Sequence, residues 1–534
     1  MRGLFENTGN FVRLMLRRER IVSTIWIISL ALFSYLLAAG IPEMFDQPAR
    51  QALAETLKNP AMIAMMGPVY GVENFTAGAM YGVLMFLWVA MAAATMNIFL
   101  IVRHTRADEE FVRTEVVRSL PTGRLAILNS AMITAVIVNV ILALLTGLLM
   151  ASVGEESMPF GATMLYGAAL GAIGLFFAAV AALFSQLSSS SRGATGYSFA
   201  VMAAAYFLRA VGDLESEAVS LISPFGLIQR TQFFVENNVW PLLILLALTI
   251  LVTAVSYKLN SIRDIGQGFI AARRGKPYGG RLMRSAFGFS FRLTRNTIIA
   301  WFIILFVLGA SYGSILPDID SFIAESEFYQ MVIGLNDDFP VLEMFISTIN
   351  IFGAIFASVP LLIISLKAFS EEREGRAESI LAAPVSRENY LCSFALPAFL
   401  SSFVLLGANI VGLYSVSYVF LDEPISFMFL FESNMVFLPA LWVLIGLAFL
   451  LGGLIPKLTG VIWAYFGFSF FALFIGRMLD LPEWLAKLSP FGHIPLLPVD
   501  DITFVPLAAL TAIAVALLLA GIIFYEKRDL SQYE

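Results

Sequence analysis

Residues Ser370–Tyr390 read SEEREGRAESILAAPVSRENY, a densely charged segment of about twenty residues between two long apolar runs. It has an echo 263 positions earlier, at Ala107–Ile127, ADEEFVRTEVVRSLPTGRLAI. With that offset Glu372, Arg376, Glu378, Pro384 and Arg387 fall on Glu109, Arg113, Glu115, Pro121 and Arg124. These are five identities in the sixteen positions from 109 to 124, where ordinary composition gives about one. Both copies place a Glu four residues before an Arg (Glu109 to Arg113, Glu372 to Arg376), the favourable order for an ion pair on a helix. Both then meet a proline, which cannot continue a helix ladder. Each copy is expected to be a short polar helix that ends sharply and restarts as an apolar segment.

The surroundings say what those apolar segments are. Of 534 residues, 59% are apolar and 13% charged, with mean hydropathy +0.83; a soluble chain carries roughly twice that charge. Apolar runs of about twenty residues recur, each long enough to cross a hydrocarbon layer of about 30 Å. An all-α polytopic membrane fold is expected, with twelve spans. Six fall near 21–39, 76–102, 127–152, 161–187, 194–211 and 239–257, and six near 297–315, 344–366, 390–416, 434–455, 458–478 and 504–524. No convincing cleavage site follows the first run, which reads as a retained span. Ahead of it, Arg2, Arg13, Arg17, Arg18 and Arg20 interleave with Phe11, Leu14 and Met15, the pattern of an amphipathic helix lying on the inner leaflet. Gly167, Gly171 and Gly174 are small residues at helical spacing, suited to close helix contact. The single Cys392 excludes an intrachain disulfide, and His104 and His493 stand far apart and unaccompanied, so no metal site is expected.

The echo extends beyond the charged segment. Arg292, Arg295 and Trp301 repeat Arg17, Arg20 and Trp26 at an offset of 275. Ser223-Pro224-Phe225-Gly226 returns as Ser489-Pro490-Phe491-Gly492, and the exit Arg263-Asp264-Ile265 returns as Arg528-Asp529-Leu530. Echoes in one order mean an internal duplication: a six-span half at 1–258, a basic linker at 259–290 and a second half at 291–534. Tyr257 to Arg295 holds nine Lys or Arg and one acid, whereas Leu316 to Glu343 holds seven acids and no Lys or Arg. Cationic loops stay inside, which puts the linker, both charged segments and both termini in the cytoplasm. An even span number per half makes the halves parallel.

The spans are nearly free of ionisable residues, with Arg209 and Arg477 close to outer ends. A mid-membrane charge costs about 2.5–3.5 kcal/mol on insertion scales and usually serves a task such as a proton relay, so an ion-coupled pump is disfavoured. Gly275-Lys276 runs into Pro277 and lacks the earlier glycine of a phosphate-cradling loop. Energy for uphill transport would then come from another chain.

Glu371-Glu372-Arg373-Glu374-Gly375-Arg376-Ala377-Glu378, followed by Pro384-Val385-Ser386-Arg387, resembles the coupling-helix region of type-2 ABC exporter permeases. The first copy departs from that pattern in having Val112 where the glycine stands. The fused pair of halves is similar to the larger permeases associated with resistance to polyketide antibiotics such as tetronasin. The resemblance implies a transport permease and not an enzyme, binding no cofactor itself. Two copies of a separate ABC ATPase, holding ATP and Mg, would engage the coupling helices. It also implies export of a hydrophobic or amphipathic compound, an antibiotic or lipid-like molecule, across the plasma membrane of a prokaryote. No nucleic-acid partner is expected.

Candidate residues follow. Glu109, Arg113, Glu115, Arg124, Glu371, Glu372, Arg376, Glu378 and Arg387 are assigned to ATPase coupling, against the alternative of a solvated loop face. Ser223, Pro224, Phe225, Ser489, Pro490 and Phe491 are assigned to an outer gate, against plain turn chemistry. Phe86, Trp88 and Phe207 are candidates for a substrate path, against ordinary packing. Rival readings are a twelve-span ion-coupled secondary transporter and a non-transporting scaffold that recruits an ATPase.

Overall fold

In lipid every backbone N–H and C=O must be bonded within its own segment, which leaves helices as the form for long apolar runs. The structure, a computed structural model, describes residues 2–111, 121–264, 266–270, 278, 280–314, 316, 340–421, 425–475, 482–497 and 503–529. Arg113, Glu115, Arg477 and most of the acidic stretch 316–343 lie outside the described residues. The chain divides into two compact units, Met1–Gly275 and Lys276–Glu534.

The first unit comprises α1 (Thr8–Met44), α2 (Gln47–Leu57), α3 (Pro60–Met66), α4 (Ala77–Val102), α5 (Ala126–Ala151), α6 (Phe160–Leu187), α7 (Ser191–Glu215), α8 (Glu217–Ile222), α9 (Pro224–Gln229) and α10 (Trp240–Ile262). The second comprises α11 (Ala286–Gly313), α12 (Val341–Arg373), α13 (Arg376–Leu381), α14 (Arg387–Phe420), α15 (Phe427–Met435), α16 (Leu438–Leu454), α17 (Val461–Phe470), α18 (Glu483–Lys487) and α19 (Phe504–Lys527). Among the described residues ten helical segments are long and apolar enough to cross a membrane. The regions expected as the fifth and eleventh spans are helical as α7 and α17, but neither is among the ten. Arg209 and Asp213 lie within α7, and the described part of α17 is short.

One expectation is corrected. The basic lead-in does not form a separate surface helix, because α1 runs unbroken from Thr8 to Met44. No Gly or Pro interrupts residues 10–39, so nothing breaks the ladder. At 37 residues and a rise of about 1.5 Å each, α1 is long enough to project well beyond a 30 Å hydrocarbon layer. α12 does the same with 33 residues. The overshoot of α12 carries the start of the second charged segment past its apolar run.

In the first unit α6 is the packing centre, lying against α4, α5, α7 and α10. The glycine stripe works as expected: a Cβ at Gly167 would overlap the Ala143 carbonyl oxygen, and one at Gly171 would stand 3.0 Å from that of Asn139. In the second unit Gly309 and Gly412 allow the same backbone approach of α11 and α14, as Gly453 and Gly521 do for α16 and α19. Close approach replaces the hydrophobic drive that lipid cannot supply between helices. Buried amides add directional bonds. Asn97 and Asn139 exchange hydrogen bonds at 3.1 and 2.6 Å between α4 and α5. In the second unit Asn434 donates to Asn350, and Asn350 to Ser433, both at 2.9 Å.

Candidate functional site

The charged segment of the second unit begins on the last turn of α12 and ends within the first turn of α14. Both ends are fastened to the exit of α19. Arg528 donates through Nη2 to both carboxylate oxygens of Glu372, at 2.8 and 2.7 Å, with both side chains buried. Arg387 donates to the carbonyls of Arg528 at 2.6 Å and Glu526 at 3.0 Å. The Arg528 guanidinium lies over the Tyr525 ring, 5.1 Å from its centroid, a cation–π contact that offsets part of its desolvation.

The first unit builds the same clamp from the matching residues. Arg263 donates to Glu109 at 2.8 Å, and Arg124 donates to the carbonyls of Arg263 at 2.8 Å and Asn260 at 3.3 Å. Two echoes that look separate in the sequence, the charged segment and the Arg-Asp exit, therefore form one three-residue lock per unit. Here the lock is elaborated. Arg106, buried within a π turn at Arg103–Ala107, donates to Glu109 at 3.0 Å and to the carbonyls of Gly266 and Gln267 at 3.1 and 3.2 Å. The Gly266 N–H donates to Glu109 at 2.7 Å. Arg18 donates twice to Asp108, at 2.7 and 3.1 Å, and Glu19 takes Arg103 and the buried His104, each at 2.9 Å. α1 and the base of α4 are thereby tied into one block.

Beyond the lock, the second unit presents a short helix. Gly375 sits at φ +74°, the left-handed conformation that L side chains avoid, and turns the chain out of α12 into α13. Because the helix breaks there, Arg376 does not pair with Glu372 as the four-residue spacing predicts. It bonds both oxygens of Glu371 instead, at 2.5 and 2.7 Å, and also Glu374. These hydrogen bonds, that to Glu371 first, push the Arg376 pKa above its ordinary value. Lys367 supports Glu371 from one turn back at 2.7 Å. Ala377 is buried against the body, while Glu378, Ser379, Ala382, Ala383 and Pro384 are exposed. Ser386 caps α14 by accepting from Asn389 N–H at 3.1 Å.

The structure thus sorts the sequence candidates. Glu371 and Glu372 are buried and Glu109 is partly buried, and with Arg124, Arg376 and Arg387 they are engaged inside the chain. Among the described coupling candidates Arg124, Arg376 and Glu378 are exposed, and the first two are bonded within the chain. Arg106, Arg263 and Arg528 were missed as site residues. The repeated Arg-Asp exit was the signal that could have found the last two.

At the opposite ends of the spans, Ser223 donates to the Ala205 carbonyl at 2.6 Å and accepts from the Phe225 N–H at 3.2 Å, making the corner between α8 and α9. Phe225 is fully buried, stacked on Phe177 with centroids 5.4 Å apart. Pro490 opens a 3-10 turn to His493, with Ser489, Pro490 and Phe491 buried. Both corners are packed into their own units. The fully buried Arg209 donates to Ala64 and Met65 carbonyls at 2.6 and 3.3 Å, at the end of α3, and to Asp213 at 3.2 Å. Asp213 also accepts from Ser220 at 2.6 Å and Arg230 at 3.4 Å.

Phe86, Trp88 and Phe207 are not brought together. Phe86 is buried among Tyr166, Phe233 and Leu87, whereas Trp88 and Phe207 are exposed. Among the described residues no group of three His, Cys, Asp or Glu is placed to hold a metal.

Comparison with known proteins gives this architecture relatives. The family model described as multidrug efflux system permease Rv1217c, C-terminal domain, matches residues 9–258 and 283–526. The multidrug efflux system permease protein Rv1217c of Mycobacterium tuberculosis is 31% identical over 536 residues, covering 98% of this chain and 95% of that protein.

Proposed function

We propose a mechanism from one premise: the chain belongs to the multidrug efflux permease family, so it is a membrane permease of an efflux system. In this reading it is the membrane part of an ATP-driven ABC exporter in a prokaryotic plasma membrane. Two separate ATPase subunits, carrying ATP and Mg, engage the two charged segments from the cytoplasm. The exported compound is hydrophobic or amphipathic.

The observation that carries the reading is the doubled lock. A force applied to α13 reaches α12 through Arg376 and the buried Glu371, and reaches α19 through the buried pair Glu372 and Arg528, because these side chains are mutually bonded. Buried ion pairs are poor stabilisers but rigid, directional joints. Two such joints, one per unit, suit a symmetric pair of motors pushing on matching levers. The exposed face of α13, with Glu378 and Ser379, is then the docking face. The Ser-Pro-Phe corners of both units act as pivots of an outer gate. Phe86 packs the first unit, while Trp88 and Phe207 remain available to an apolar compound arriving from lipid.

The test is co-purification of the tagged full-length chain with its ATPase, followed by efflux of a hydrophobic dye in inverted vesicles. ATP-dependent dye uptake that vanishes without the ATPase supports the reading. Uptake by the chain alone under an ion gradient overturns it in favour of secondary transport.

A further inference from the structure

In the first unit, the groove between the base of α4 and the turn joining α6 to α7 is filled by the chain itself. Ile270 N–H donates to the Leu187 carbonyl at 2.8 Å and Ile270 bridges Ser188. Gly268 packs so tightly on Ser188 that a Cβ there would overlap it. Arg106 holds the same segment by its carbonyls at Gly266 and Gln267. The cation at this base is thus held by Glu109 and by backbone acceptors.

The matching groove in the second unit, between the last turns of α12 and the turn leading into α17, is a cavity of about 680 Å³. Its polar lining is Lys367, Ser370, Arg373, Lys457 and Thr459. Among the described lining residues that is three cations and two hydroxyls with no acid, Lys367 being paired with Glu371 behind it. Its apolar side is Ile363, Leu366 and Trp463. Of its lining Ile363 and Trp463 are exposed, as are Ile455, Leu458 and Val461 on the adjoining turn and helix start, an apolar surface suited to lipid in a membrane-embedded chain. A tryptophan beside cations at a span end is the composition of a headgroup-level site.

We propose that this cavity binds the headgroup of an anionic phospholipid. Arg373 and Lys457 take the phosphate, and an acyl chain lies along Ile363 and Trp463; the Ser370 and Thr459 hydroxyls, which donate to Glu374 and to the Pro456 carbonyl, line the site. Basic pockets between membrane helices select anionic headgroups in this way, and the volume suits one, ligand sites running to about 300–1,000 Å³. Lys367 joins the site to the lever, since it also bonds Glu371 at 2.7 Å, the carboxylate that holds Arg376. The proposal does not depend on which motor drives the protein.

The experiment uses the full-length chain in nanodiscs of phosphatidylcholine with a minor fraction of phosphatidylglycerol, extracted gently and weighed by native mass spectrometry. Wild type should retain phosphatidylglycerol over phosphatidylcholine. The double variant R373Q/K457Q, which leaves Lys367 and its ion pair in place, should lose that preference on the order of tenfold or more, at about fivefold per cation. The charge-conserving R373K/K457R should keep it. A photoactivatable phosphatidylglycerol should label the peptide containing Trp463 in wild type, a readout independent of variant folding. Equal retention by wild type and R373Q/K457Q, or labelling elsewhere only, overturns the proposal. Displacement of the retained lipid preference by millimolar inorganic phosphate assigns the cavity to a free anion and overturns it too.

Discussion

Glu372 and Arg528, 156 residues apart, form a buried two-oxygen ion pair at 2.7 and 2.8 Å, and Glu109 and Arg263, 154 residues apart, form its counterpart at 2.8 Å. Each pair joins the end of one span helix to the exit of another, at the base of the charged segment. The segment is therefore anchored by its second acid and its last arginine, and presents what lies between.

Removing one partner leaves a buried charge without compensation. Arg528→Met should destabilise the chain by about 3–5 kcal/mol, read as a lower midpoint of unfolding in detergent. Replacing both members, E372M/R528M, should recover most of that loss. A single variant as stable as wild type would refute the buried pair.

Charge reversal should separate anchor from docking face. Glu378→Lys, on an exposed position, should leave the unfolding midpoint within about 0.5 kcal/mol of wild type while weakening ATPase co-purification. Glu372→Lys should lower both. If Glu378→Lys co-purifies normally and supports full transport, α13 is not the docking face.

Gly375→Ala isolates the corner. A methyl there meets nothing within 4 Å, so the cost is that of the left-handed backbone, about 1–2 kcal/mol. Coupled transport should fall while membrane insertion stays normal, and nucleotide hydrolysis measured alongside transport gives the ratio. An unchanged ratio would show that the bend does not set the lever's direction.

Arg209→Met should leave Asp213 with Ser220 and Arg230 alone and strand three α3 carbonyls that now accept from Arg209. A loss of about 3 kcal/mol or more is expected, with faster proteolysis of the α2–α3 loop as the local readout. Arg209→Lys should recover part of it. Protection of that loop in Arg209→Met would place its anchorage elsewhere.

The amide pair of α4 and α5 gives a smaller figure. Asn97→Ala and Asn139→Ala should couple in a double-mutant cycle by about 0.6 kcal/mol and no more than about 1.7, the range for bonds between membrane helices. Strict additivity would mean that the two amides do not bond each other in the membrane.

Some of this was written in the residues alone. Apolar runs dictate helices because lipid offers the backbone no partner, and Gly167 and Gly171 dictate close packing because nothing but hydrogen fits beneath a neighbouring carbonyl. The duplication was legible too, since repeated spacings survive as repeated letters. What tertiary structure alone decided is the use of each charge. Helical spacing assigned Arg376 to Glu372, yet Gly375 breaks that helix and hands Arg376 to Glu371, freeing Glu372 for an arginine 156 positions away. A pairing between spans distant in sequence is chosen by which helix ends meet, and local periodicity carries no record of that meeting.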